Sequence, residues 1–199
     1  MAPVLVLIFA FIFISGDNFG QTNCRLRKDE DSIRVYTCYS DTSKFKLIKA
    51  EFQVNTTFDQ LEKFLLNFSN YTTWQYNTVE SRVIKKISDT EYIYYAKIKA
   101  PWPVSDRDMV VRFKIVHDES TMHVTANTDT GVPPKKNIVR VPSSHSEWVI
   151  TKIAPRKLKV NYKIQIDPGG AVPAWLVNWV SAYAPYQSFK DLKKQIADH

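Results

Sequence analysis

Three charged side chains in a row, Asp106, Arg107 and Asp108, separate an aromatic turn (APWPVS, residues 100–105) from an apolar run that begins at Met109. Two carboxylates beside a guanidinium could serve as general acid and base, or they could fasten a loop by charge-assisted hydrogen bonds. Acid–base work requires a carboxyl whose pKa is raised in a closed pocket, and Arg107 acts in the opposite sense on both neighbours. Fastening is the reading the spacing favours. Metal chemistry would need clustered histidines and carboxylates, and His117 and His123 are the only close histidine pair. Pairing Ile115 with Val124 and Phe113 with Ala126 keeps apolar residues together. It places His117 on the inner face opposite Met122 and turns His123 outward, so the two could not share a metal. A register shifted by one would oppose the histidines but set Ile115 against Thr125. No nucleophile-elbow pattern is present, and His145 lies in a polar stretch, PSSHSE. The sequence therefore predicts no catalytic residue, no metal site and no cofactor.

Cys24 and Cys38 bracket CRLRKDEDSIRVYTC, which reads as a hairpin turning around Asp31. With Arg27 opposite Val35, Cys24 stands opposite Cys38. A cross-strand disulfide is then geometrically open, typically adding about 2–4 kcal/mol, and two separate half-buried thiols are the alternative. An oxidising compartment fits the first reading. So does Val4 to Ser15, a twelve-residue run without charge. It is short for a membrane span and suited to the hydrophobic region of a secretory signal, with cleavage near Gly20-Gln21. The expectation is an exported, periplasmic or extracellular protein with a signal peptide at 1–20. A tether formed by an uncleaved N-terminal segment is the alternative.

A chain of 199 residues suits one domain, here 21–199. Its 44% hydrophobic and 24% charged residues are those of a globular protein, with a rich 13% of aromatics. The net charge of +7 is spread along the strands rather than clustered. It suits transient attraction to an anionic membrane surface; no nucleic-acid-binding motif accompanies it, and the expected state is a monomer.

The elements that must position these residues follow from periodicity. LKVNYKIQI alternates Leu158, Val160, Tyr162, Ile164 and Ile166 against polar residues, the mark of a strand with one apolar face. Ile48, Ala50, Phe52 and Val54 repeat the pattern, as do Tyr94, Ala96 and Ile98, and Met109, Val111, Phe113 and Ile115. Two helical stretches are available to cover this face. TTFDQLEKFLLNFSNY opens with a capping box, Thr57 with Gln60, and spaces Phe58, Leu61, Leu65 and Phe68 helically. The second runs from Pro173 to about Ala197 with a stripe containing Trp175, Leu176, Trp179 and Tyr183, and Pro185 should kink it. The architecture is α+β, a curved antiparallel sheet gripping a C-terminal helix.

APWPVSDRDMVV resembles the strand-entry motif of START domains, the steroidogenic-acute-regulatory-protein-related lipid-transfer family. NYTTWQYNTVE, PPKKNIVRV and DPGGAVPAWLVNWV resemble further segments of that family, in order, over residues 24 to about 195. The resemblance implies a helix-grip fold enclosing one hydrophobic tunnel. It also implies a lipid or sterol-like ligand, bound and transferred or presented at membranes. Cyclases, dehydratases and hydrolases on the same fold supply the alternative.

On this reading Tyr94, Ala96, Ile98, Met109, Val111, Phe113 and Val124 line the tunnel from the strands, joined by Tyr162 and Ile164. Trp175, Leu176, Trp179 and Tyr183 line it from the helix, and Trp102 is a flap at its mouth. Asp106, Arg107 and Asp108 fasten the loop. Many members bury a basic residue six positions beyond the motif arginine, where this chain has Phe113. The expected tunnel is therefore apolar, with Tyr94 and Tyr162 as polar handles, and favours a neutral ligand. The loops at 101–106 and 131–136 are the expected gates, Gly131 allowing the second to turn.

Overall fold

The computed structural model describes residues 23–40 and 43–197, without the side chains of residues 40, 43, 44, 174, 175, 178 and 179. The segment expected to be a signal peptide, and the side chains of Trp175 and Trp179, lie outside the described residues.

The chain opens with a hairpin of β1 (Cys24–Glu30) and β2 (Ile33–Ser40). Asp31 and Ser32 both take positive φ, 53° and 58°, the pair of left-handed residues a two-residue hairpin turn requires. Cys24 pairs with Cys38 and carries a disulfide to it. A bulge between Leu26 and Lys28 brings Lys28, not Arg27, opposite Val35. One extra residue absorbed by the bulged strand shifts the register toward the turn and leaves the cysteine end unchanged.

After β3 (Ser43–Val54), the capping box forms as the sequence requires: Thr57 accepts from the Gln60 amide while the Gln60 side chain accepts from the Thr57 amide. The helix it starts, α1 (Phe58–Leu66), is shorter than the periodicity suggests. Asn67 caps it, and a 3₁₀ turn (Phe68–Asn70) leads into the single-turn α2 (Tyr71–Trp74). The break still buries Phe68, Tyr71 and Trp74.

Seven strands follow: β4 (Thr78–Lys86), β5 (Glu91–Ile98), β6 (Arg107–His117), β7 (Thr121–Thr128), β8 (Val139–Arg140), β9 (Ser143–Ala154) and β10 (Lys157–Asp167). Their order in the sheet is β1-β2-β3-β10-β9-β7-β6-β5-β4. All neighbours on that path are antiparallel, and the short β8 runs parallel beside β6. Ile115 faces Val124, Phe113 faces Ala126 and His117 faces Met122. His145, read as part of a polar stretch, belongs to β9, where alternation sends Ser144, Ser146, Trp148 and Ile150 inward.

The final helix, α3 (Ala174–Ala197), is continuous through Pro185 and lies against the apolar face. Its second half is locked down. Phe189 stacks on Phe52 at 4.6 Å and meets the rings of Trp148 and Tyr162, while Leu192 and Ile196 are buried. Around this core, the Tyr186 hydroxyl donates to Asp31 at 2.6 Å and Lys190 Nζ lies 2.8 Å from the same carboxylate. Burying that many aromatic side chains supplies the main driving force for folding the sheet onto the helix. No described helix is long and apolar enough to cross a membrane.

Candidate functional site

Where the second half of α3 packs tightly on the sheet, the described side chains of its first half face a cavity. Its volume is ≈ 440 Å³, within the range of small-molecule sites. The inner face supplies Tyr94, Ile98, Met109, Val111, Phe113, Tyr162 and Ile164, and α3 supplies Leu176, Val177, Val180, Ser181 and Ala184. Leu65 and Tyr71 line it from the helical segment after β3.

The three charges of the motif go to three separate partners. Asp106 accepts the Ala100 amide at 3.1 Å and pairs with Lys97 at 3.1 Å; that lysine and amide hold its carboxyl below the usual range. Asp108, fully buried, takes Arg140 Nε at 2.8 Å and a second guanidinium nitrogen at 3.1 Å. Arg107 makes no ion pair with either neighbour. It donates to the carbonyls of Ser105, Pro168 (3.4 Å) and Gly169 (3.2 Å), tying the start of β6 to the loop before α3. That loop needs glycine at 169: φ is +65°, and a Cβ there would stand 2.9 Å from the Arg140 carbonyl. The triad's hydrogen bonds thus run to carbonyls, a lysine and a distant arginine rather than among its own adjacent charges.

Several expected lining positions fall elsewhere. Trp102 is 91% exposed and stands off the cavity, because Pro101 and Val104 occupy the wall of its loop. Ala96 and Val124 are buried core rather than lining. Ala96 is one carbon long beside Met109, and Val124 is flanked in the register by Ile115 and Trp148. Tyr183 turns toward Tyr76, the two rings 5.3 Å apart and edge-on. The 131–136 segment is not at the mouth. Lys135 lies 4.1 Å over the Tyr95 ring, and Arg140 holds the Val132 and Pro133 carbonyls, which folds the segment onto the outer face of the sheet. Its place at the mouth is taken by the loop containing Pro168 and Val172.

Tyr94 and Tyr162 stand in the cavity wall. Burial pushes both phenols far above the ordinary tyrosine value, offset in part by hydrogen bonding to Gln75 and Ser146 respectively. They stay neutral. Phe113 is buried and packs edge-on against Phe68, so the body of the cavity carries no charge there. Sequence reasoning missed Trp148, Ser144 and Ser146, whose alternation was masked by small polar residues, and the cations Lys46 and Lys99 at one end of the wall, where Arg107, read only as a loop fastener, also lies.

His117 lies 3.2 Å from Glu62 of α1, and His145 Nδ1 is hydrogen-bonded with Asn127 across the outer face. Among the described residues no three His, Cys, Asp or Glu side chains converge as a metal site would need.

The START domain family model matches residues 25–198. An uncharacterised protein of Pseudomonas aeruginosa is 27% identical over 192 residues, covering 95% of this chain and 94% of that one. Bovine phosphatidylcholine transfer protein is 26% identical over 126 residues, 60% of this chain and 59% of its own length. Among solved structures, the STAR-related lipid transfer protein of Xanthomonas axonopodis superposes with a TM-score of 0.80 at 27% identity, covering 87% of this chain and 98% of that one.

Proposed function

The chain belongs to the START domain family, and from that premise we propose that it binds one lipid or other hydrophobic small molecule beneath α3 and transfers or presents it at membranes. The observation that carries this reading is the ≈ 440 Å³ cavity, whose body is lined mostly by apolar side chains, with the neutral phenols of Tyr94 and Tyr162 and serines such as Ser144 and Ser146 among them. At about 25 cal/mol per Å² of apolar surface removed from water, a lipid-sized ligand gains enough to bind at about micromolar strength after the costs of association.

Entry follows from the uneven attachment of α3. Its second half is held by Phe189, Tyr186 and Lys190, so the part that moves is the first half, together with the loops at 101–106 and 168–173. Trp102 projects beside that opening with Lys97 and Lys99 nearby in the chain, the combination of aromatic anchor and positive charge that an anionic membrane interface attracts. The protein acts as a monomer, one ligand to one domain, 21–199. It is exported after removal of residues 1–20; the Cys24–Cys38 disulfide supports an oxidising compartment.

Transfer of a fluorescent lipid between donor and acceptor vesicles tests the function. The protein should raise the rate in proportion to its concentration, and no acceleration over a panel of neutral and anionic lipids would contradict it. N-terminal sequencing of protein from its own host tests export: a start near Gln21 supports it, and an intact hydrophobic segment in the membrane fraction would support the tether.

A further inference from the structure

The charged residues of the cavity wall are all of one sign. Among the described residues Lys46, Lys99 and Arg107 line it, and no Asp or Glu does. The three also share one end of the sheet. Ile98, at the end of β5, pairs with Arg107 at the start of β6. Lys46 lies near the start of β3, which pairs with the end of β10, where the Pro168 and Gly169 carbonyls meet Arg107. This is the mouth end, where the loops at 101–106 and 168–173 meet α3. The other end of the wall, at Leu65, Tyr71 and Phe113, is uncharged.

Arg107 is the central group. It is only 8% exposed, and no carboxylate of the described residues lies within ion-pair distance of it. Its hydrogen bonds run to three carbonyls, which hold the guanidinium in place without neutralising it. A guanidinium has five N–H donors, and five less three leaves two uncommitted. Asp106 and Asp108, which could have compensated it, are engaged by Lys97 and Arg140. Burial disfavours the Arg107 charge, the field of Asp106 offsets it from beyond ion-pair distance, and an oxyanion is the group a fixed guanidinium recognises best. The start of α3 carries no acidic side chain in its first turn, so its end adds partial positive charge on the same side.

We propose that the mouth of the cavity is an oxyanion subsite, with Arg107 and Lys99 binding the carboxylate or phosphate of an anionic amphiphile whose apolar part fills the body. This deepens the lipid-carrier reading and rests on it. It departs from the neutral ligand that Phe113 suggests: the body of the tunnel is uncharged, and the charge recognition lies at its entrance.

The test uses matched pairs with the full chain. A long-chain fatty acid is compared with its methyl ester, and phosphatidate with diacylglycerol of the same chains, by titration of tryptophan fluorescence. The anionic member of at least one pair should bind about tenfold tighter than its neutral partner. The pair that shows the preference distinguishes a carboxylate from a phosphate. Lys99→Gln, on an exposed side chain that folding does not need, and Arg107→Lys, which keeps the charge and loses the fork, should each bring the ratio down toward one. Lys159→Gln on the outer face should leave it as it is. Equal affinity within both pairs would overturn the mouth subsite and leave the carrier reading standing, as would a ratio that survives both mouth substitutions. Failure of all four probes to bind would overturn the carrier reading and the subsite with it.

Discussion

Asp108, with no exposed surface, receives both of its hydrogen-bonding prongs from Arg140, at 2.8 and 3.1 Å, joining the start of β6 to β8. Arg140→Ala would leave a buried carboxylate without its partner, a change that costs about 3–5 kcal/mol. Urea unfolding should show a loss of that size, with partial recovery in Arg140→Lys. A loss below about 1 kcal/mol would mean that the pair is a surface contact in effect.

Filling the cavity should stop binding without introducing charge. Ala126 is half-buried in the wall between Phe113 of β6 and Ser146 of β9. In Ala126→Trp, lipid affinity should fall by about tenfold or more because the indole takes the ligand's volume. Uptake equal to wild type would place the ligand elsewhere.

Trp102 separates stability from transfer. An indole 91% exposed contributes little to folding, so Trp102→Ala should change stability by no more than about 0.5 kcal/mol. Transfer between anionic vesicles should slow severalfold, measured by stopped-flow fluorescence. An unchanged rate would remove the aromatic anchor from the account.

The buried phenols set an alkaline limit. Burial raises the pKa of Tyr71, Tyr94 and Tyr162 in the folded chain, and an unfolded tyrosine releases its proton near about pH 10. Above that pH the unfolded state binds fewer protons than the folded one, so stability falls as pH rises. It is fully present below pH ~10 and lost progressively above it. Thermal unfolding followed from pH 8 to 11 should show the decline, and Tyr162→Phe should make it shallower. A flat profile would mean that these hydroxyls reach water.

Much of this was legible in the chain. Alternation in Leu158 to Ile166, in Tyr94 to Ile98 and in Met109 to Ile115 located the sheet and the inner face that carries Tyr94, Phe113 and Tyr162, because period-two burial writes itself directly into the sequence. That Asp106, Arg107 and Asp108 stand where a loop enters a strand was legible, but their partners were not. Arg140 lies 32 residues from Asp108, and the Pro168 carbonyl lies 61 from Arg107. Backbone carbonyls carry no sequence signal at all. Trp102 misled because a large apolar residue in a stiff loop reads as a lid, whereas the loop turns Pro101 and Val104 to the wall and its indole to water. The 131–136 segment misled in the opposite sense. Its attachment depends on Lys135 lying over Tyr95, a contact between the outer face of a strand and a loop that no local pattern announces.

The most direct test of the central claim is native mass spectrometry of the mature domain, residues 21–199, purified from its own host, followed by organic extraction. A single bound species of lipid mass, one per chain and absent from Ala126→Trp, is the expected result. A bare protein mass that stays bare after incubation with a total lipid extract would contradict it.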